Sequence, residues 1–497
     1  MKYLKYIFLA SSVFIVSCSK WLDIIPEDTT TEKQLFADFG GYHSAINGLY
    51  QTLSSSNLYG ENLTWGYVSA LSQYYDSSNS SNTMRFSYTE KYDYASNEVK
   101  AFGEQIWSTG YNVIANCNNL LQHLAVADPT IFPYYETGEM DIIKGEALAI
   151  RALVHFDILR LFAQAPAVSP DAPAIPYSTS YPELFPKRHT VSQVLTNVIA
   201  DLKEAAELMA PIDSLGGNLS KMMYNAANRY MVSNSGQGFF FTARGARMNF
   251  VSIKSLLARV YAYSGDMEKA YDHAASVLED FYDKNGSKWY MYTGFGSSTT
   301  SEAFIPHKMI DELVISFYNE NLLNDYTDSG AMGSNPSSNP YKLKNIGNIF
   351  NDSDDYRQTK LITALGASDK CSIKYRERSG NSSKVENYLL PVMRISELHL
   401  IAAEYLLSEN RISEAVNILN ELRISRGCII RVLDEGASVG DLNNEIEKEY
   451  WRENIAEGQY FFFCKRKNLP TINNNGVHIP MEGRYTMLIP DSETSLN

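Results

Sequence analysis

Between Gly145 and Phe162 the chain reads Gly-Glu-Ala-Leu-Ala-Ile-Arg-Ala-Leu-Val-His-Phe-Asp-Ile-Leu-Arg-Leu-Phe. At about 100° per residue its apolar side chains cover almost the whole circumference of a helix instead of one stripe. A helix that is hydrophobic all round must be packed on several sides. Its few charges are spaced to support one another: Arg151 and His155 stand four apart, and Asp157 and Arg160 three apart. Pro166 cannot continue the helix and marks its exit. The stretch is therefore expected to be a central strut, and the rest of the chain to be helices laid against it.

A chain of 497 residues supplies enough surface for one large core or two intimately joined halves. Its net charge of −14 argues against a nucleic-acid partner, since a phosphate backbone needs a basic face. The five cysteines (Cys18, Cys117, Cys371, Cys428 and Cys464) form no Cys-x-x-Cys pair, which excludes zinc ribbons and thioredoxin chemistry. Cys117 lies in a helical run and is expected to be a small buried hydrophobe.

Cys18 is different. Lys2 and Lys5 form a basic head, and Ile7 to Val16 an apolar run too short to span a bilayer. Residues 1–17 thus read as an export signal, and Ser17-Cys18 as a lipoprotein processing site, although Ile15 and Val16 replace the usual leucine and small residue. Cys18 is expected to carry the lipid, and residues 18–30 to be anchor and extended linker. The body would span residues 31–497, with halves of about 31–215 and 245–497.

Helical spacing recurs over Thr31 to Leu53, Glu61 to Tyr75, Phe102 to Leu124 and Val191 to Met209, the last capped by Thr190. Two later segments have the pattern of tetratricopeptide-like helix pairs. In the first, Leu257, Ala258 and Tyr261 precede a Gly265-Asp266 turn, with Ala270 and Ala274 beyond. In the second, Ala402, Ala403 and Leu406 precede a turn near Asn410, followed by Ala415, Leu419 and Leu422. Between them, Asp283 to Gly380 is rich in Gly, Ser, Asn, Asp and Tyr, with short strand-like runs such as Leu313 to Phe317. The fold class expected is mainly α: helix pairs in a right-handed superhelical scaffold, with long irregular loops and a few short strands.

No Gly-x-Ser-x-Gly elbow, phosphate loop or Gly-x-Gly-x-x-Gly fingerprint is present. His155 and His399 fall in helical runs and read as structural. The acidic run Asn351 to Asp355 lacks the glycine and distal glutamate of a calcium loop, so no metal or cofactor is assigned. Aromatic rings are the stronger signal, in a chain with 34 tyrosines. A ring offers its flat face to the C–H face of a sugar, while neighbouring amides and charges take the hydroxyls. Cargo is expected where the Tyr74–Tyr88 loop meets the Asp283–Tyr326 region. The rings of Tyr74, Tyr75, Trp289, Tyr290 and Tyr326 would stack, and Asp76, Asn82 and Arg85 would hydrogen-bond.

These pieces together resemble the SusD/RagB family of outer-membrane nutrient-binding lipoproteins. Cys18 to Pro26 is similar to the family's opening, and Trp107, Tyr111, Ile114 and Asn116 to its W-x3-Y-x2-I-x-N helix. The strut is its most recognisable stretch, followed by Arg188-His189-Thr190-Val191 leading to Asp201, Leu202 and Ala205. Glu449, Glu453 and Glu457-Gly458 resemble its late acidic segment, with Tyr450 where arginine is usual, and Leu488 to Glu493 its closing I-P-x-x-E. The acidic run often found after the lipid cysteine is reduced to Asp23. The resemblance implies a non-catalytic lipoprotein on the outer membrane of a Gram-negative bacterium, probing the exterior. It would bind oligosaccharide and cap a SusC-like TonB-dependent transporter. The alternatives are peptide as cargo, as in RagB-like members, or an all-α glycosidase.

Overall fold

The computed structural model describes residues 32–77, 85–232, 238–283, 285–295, 305–328, 341–344, 346–365, 369–378, 384–472 and 477–494. Cys18 and the whole export and anchor segment lie outside these residues, as does Asn82.

The strut is helix α3. Helix α1 covers Phe39–Leu53, α2 Asn97–Leu124, α3 Glu139–Phe162 and α4 Val191–Asp213. Of the 24 residues of α3, only Met140, Asp141 and Lys144 are not buried. It is clasped between α2 and α4. Gly145 lets α4 approach, since a Cβ there would stand 2.8 Å from the Met209 side chain. Thr190 caps α4 in a full capping box with Gln193. The expected helix from Thr31 is broken in two, because Asp38 accepts a hydrogen bond from Gly41 N–H and restarts the chain as α1. The expected Glu61–Tyr75 helix shrinks to Tyr67–Leu71: turns occupy Glu61 to Gly66, and Gln73 takes a positive φ.

The charges of α3 find different partners from those their spacing suggests. Asp157 and Arg160 do pair. Arg151 instead reaches Asp201 on α4 through two 2.7 Å hydrogen bonds and also donates to Asn118 on α2. His155 turns Nδ1 to the Arg151 carbonyl (2.9 Å), and its Nε2 accepts from the Ser178 N–H (3.0 Å). Both bonds are satisfied by the neutral Nδ1–H tautomer. Burial pushes the His155 pKa down to about 3, against the opposing effect of the Arg151 carbonyl. Below the unfolded value of about 6.5 the unfolded chain binds a proton that the native state refuses. Stability should therefore fall as pH drops from about 6.5 towards 3, and this residue alone should remove about 2 kcal/mol by pH 5. Urea titrations at pH 7 and 5 check it: the pH dependence should shrink by that amount in His155→Gln.

Both tetratricopeptide-like pairs form as expected. Helices α5 (Phe250–Ser264) and α6 (Met267–Glu279) turn at Gly265, whose φ of +91° suits glycine, and Asp266 caps α6. Helices α7 (Ile395–Ser408) and α8 (Ile412–Ser425) turn at Asn410, also at positive φ. Each helix from α2 to α8 packs on the next, so that α2, α3, α4, α5, α6, α7 and α8 make a continuous stack. Helix α9 (Val439–Glu453) packs on α7, and α10 (Gln459–Lys467) reaches the end of α3, where Lys465 donates to the Arg160 and Ala163 carbonyls (both 2.6 Å). The fold is mainly helical and tetratricopeptide-like, with short two-stranded pairs. The strand-like run is β1 (Leu313–Tyr318), antiparallel to β2 (Leu389–Arg394).

A buried charge network fixes the irregular region to this stack. Glu445, Glu449, Glu453 and Glu457 recur every four residues, which places them along one face of α9 and its continuation. Facing them are Arg357, Lys374, Arg394, Arg423, Arg426 and Arg452. Glu453 alone meets Arg357 (2.8 Å), Arg394 (2.5 Å) and Arg426 (2.8 Å). The acidic run Asn351–Asp355 is consumed here: Asp355 caps the short helix Tyr356–Lys360 and pairs with Arg357 at 2.6 Å.

Candidate functional site

The Tyr74–Tyr75 end of the first loop is held against residues 342–344, outside the Asp283–Tyr326 region expected to meet it. Tyr75 bridges to Leu343, Asp76 N–H donates to the Lys342 carbonyl (2.9 Å), and Lys344 N–H to the Tyr74 carbonyl (3.0 Å). The rings of both regions face inward. Tyr75 is 2% exposed and Trp289 1%, and Tyr74, Tyr290 and Tyr326 are buried as well. Trp65 takes Tyr326 edge-on at 4.9 Å and packs beside Tyr341 and Tyr375, while Tyr75 meets Tyr341 at 5.1 Å. Tyr74 donates to the Trp451 carbonyl (2.8 Å) and Tyr75 to that of Trp65. Trp289 lies between Tyr224 and Phe281, and Tyr290 beneath the Arg229 guanidinium at 4.0 Å. Arg85 is occupied by Glu61 and the face of Phe86. These five rings are core, because burying a large apolar face outweighs keeping it for a ligand. Trp289→Ala should accordingly act on stability, by about 3–5 kcal/mol, and a urea melt will show that loss directly.

An open cleft lies elsewhere, at the end of β1. It has a volume of about 650 Å³ and is lined by α1 and the turn after it, by Tyr230 and Arg247, and by the segment from Tyr318 to Asp325. Strand alternation explains its wall: Phe317 points into the core, so Tyr318 points out and is 45% exposed. Its ring leans on Tyr388 at 5.7 Å. On the facing wall, Asn47 and Gln51 are four residues apart on the exposed face of α1. Asn319 ties the walls together, donating to the Ser54 carbonyl and to Asp325 (both 3.0 Å), and its side-chain oxygen accepts from Asn321 N–H (2.8 Å).

The polar groups left over define what the cleft can do. Tyr50 accepts from Met248 N–H (2.8 Å), and burial with Glu146 nearby holds its pKa well above the usual tyrosine value, so its own proton stays available. Burial and Tyr388 also raise Tyr318, keeping it neutral. Among the described residues, the side chains of Asn47, Gln51, Tyr318, Glu320 and Asn321 have no hydrogen-bond partner. Arg247 is committed to Glu146 at 2.9 Å. The cleft thus combines an exposed ring with free amides, hydroxyls and one free carboxylate, a set suited to a polyhydroxylated ligand. Two signals for it stand in the sequence: the Asn47/Gln51 spacing, and the polar run Asn319-Glu320-Asn321 directly after a strand.

Comparison with known proteins agrees with this architecture. A profile described as "Starch-binding associating with outer membrane" matches residues 20–216. The profile of the SusD family matches residues 222–480, more than half of the chain. The chain belongs to the SusD family. A SusD-like protein of Formosa agariphila is 22% identical over 389 residues, covering 73% of this chain and 72% of its own. A SusD superfamily protein from Bacteroides thetaiotaomicron has a TM-score of 0.68 at 22% identity, over 91% of this chain and 97% of its own. A putative sugar binding protein from Bacteroides vulgatus reaches 0.69 at 20% identity, over 93% and 97%. At these identities the solved structures establish the shared fold. In this SusD-family chain Glu146 of the strut holds Arg247 in the wall of the cleft.

Proposed function

We propose that this SusD-family chain is a non-catalytic binding lipoprotein that captures oligosaccharide in the cleft beside Tyr318. The observation that carries the reading is the exposed Tyr318 ring opposite the unspent Asn47 and Gln51 amides, in a cleft of about 650 Å³. The family description "Starch-binding associating with outer membrane" and the sugar-binding title of the Bacteroides vulgatus neighbour support carbohydrate as cargo. Glu320 favours uncharged sugars over uronates. The family description names binding and not cleavage, which supports retention. The mature chain begins at Cys18, whose lipid holds it to the outer membrane, facing the exterior, with residues 18–30 as the linker. Residues 31–497 form one body that delivers cargo to a SusC-like TonB-dependent transporter.

Calorimetry against a panel of neutral oligosaccharides tests the site. Tyr318→Ala should bind about tenfold more weakly, the size of one lost aromatic contact, about 1–1.5 kcal/mol, with an unchanged melting temperature. Equal affinities would place the site elsewhere. New reducing ends on incubation would overturn the non-catalytic reading, and retention of peptides alone would overturn the choice of cargo.

A further inference from the structure

Among the described residues, two of the most exposed large apolar side chains are neighbours, and both line a groove while staying largely exposed. Leu184 is 76% exposed and Phe185 86%. They lie in the loop 177–187 between the short strands Pro173–Pro176 and Arg188–Thr190, which pair antiparallel. The groove, of about 320 Å³, has Trp107, Tyr111 and Ile114 of α2 as its other wall, and it leaves Leu184 and Phe185 uncovered. An adjacent exposed apolar pair of this size in a monomer marks a contact surface. Directly after it come Pro186, Lys187 and Arg188, with both cations exposed.

The position of this loop says what it touches. Its base is held on the C-terminal half of α2: Asn118 donates to the Ser178 and Ser180 carbonyls (3.1 and 3.2 Å), and Gln122 pairs with the N–H and carbonyl of Tyr181 (2.9 and 2.8 Å). The next residue, His123, meets Glu32 at 3.0 Å and stacks on Phe36 at 4.0 Å. Glu32 is where the described chain begins, so the segment from Cys18 enters the body beside this loop. Those 14 residues reach at most about 50 Å. Val126, exposed just past the end of α2, adds to the same side.

We propose that the 177–187 loop is a second membrane contact, in which Leu184 and Phe185 insert at the lipid interface while Lys187 and Arg188 meet lipid phosphates. An apolar tip followed by two cations is the chemistry of an interfacial anchor, and with Glu183 before it the tip remains net positive. In a chain of net charge −14 the two cations also set orientation, since most of the remaining surface is repelled by an anionic bilayer. The proposal rests on the lipidation of Cys18, which brings this side of the body to the membrane.

The test uses the full lipidated chain carrying Phe185→Cys, labelled with an environment-sensitive fluorophore. The native thiols Cys117, Cys371, Cys428 and Cys464 are buried. A matched Glu421→Cys chain, exposed on the polar face of α8 at the other end of the stack, is the control. Both are mixed with vesicles of phosphatidylcholine and phosphatidylglycerol containing a nitroxide-lipid quencher, then floated. The expected result is flotation of both, with a blue shift and at least twofold quenching at 185 and none at 421. Weaker quenching at 185 in a Lys187→Glu, Arg188→Glu background would support the role of the cations. Flotation with an unshifted dye at 185 would overturn the loop proposal and leave the anchor intact. Failure to float would overturn the anchor and the loop together.

Discussion

Glu453→Ala is expected to lower the stability of the body by about 3–5 kcal/mol, the effect of removing one partner from a buried ion network. The carboxylate touches Arg357, Arg394 and Arg426 at once, all of them buried. Its loss leaves three guanidinium groups short of a counter-charge where water does not reach. Glu453→Gln should cost less, because the amide oxygen still accepts a hydrogen bond. Urea titration of both variants checks the order, and equal losses would mean that packing at this position matters more than charge. The same network gives the protein an acid limit. Burial alone would raise the Glu449 carboxyl, but Arg357, Arg452 and Arg423 together hold it down at about 2. A carboxylate depressed in this way contributes stability above the unfolded value of about 4.3. That contribution should be lost as pH falls from about 4.3 to about 2, overlapping only the acid end of the range in which His155 acts.

Leu153→Asp should abolish folding or cost several kcal/mol. Leu153 has no exposed surface and sits midway along α3, between α2 and α4. The substitution removes the apolar contacts of a leucine, about 2–5 kcal/mol in comparable cores, and adds a carboxylate with no cation placed to meet it. Expression and a thermal melt suffice as the assay. A soluble variant melting near the wild-type temperature would show that α3 is not the element on which the others are stacked.

Both sites could be named from the sequence, though for different reasons. The apolar circumference of Gly145 to Phe162 is a property of residue types at helical spacing, and it specified a central helix without reference to any neighbour. The turns at Gly265-Asp266 and Asn410 were equally legible, since a positive φ and a helix cap are local requirements. Thr190 belongs with them, as a capping box lies within four residues of chain. Local signals failed where a competing cap or turn interrupted the pattern, as at Asp38 and between Glu61 and Gly66.

Partners distant in sequence were a different matter. Arg151 and His155 were spaced to help each other, but Arg151 went to Asp201, fifty residues on, because a bidentate carboxylate is the better partner for a guanidinium. Glu449, Glu453 and Glu457 could be quoted as a motif, yet nothing in their spacing announced six cations drawn from residues 357 to 452. The aromatic residues show the same division. The sequence by itself placed tyrosines beside polar loops in two regions; it could not determine which way a ring turns or which segment it would meet. A ring beside a polar loop gains as much from burial against Trp65 as from meeting a ligand, and only the packing of Tyr326, Tyr341 and Tyr375 around that tryptophan decided for burial. Tertiary structure likewise moved the candidate site to Tyr318, because an open cleft is the space that several chain segments leave between them, and no single segment encodes it.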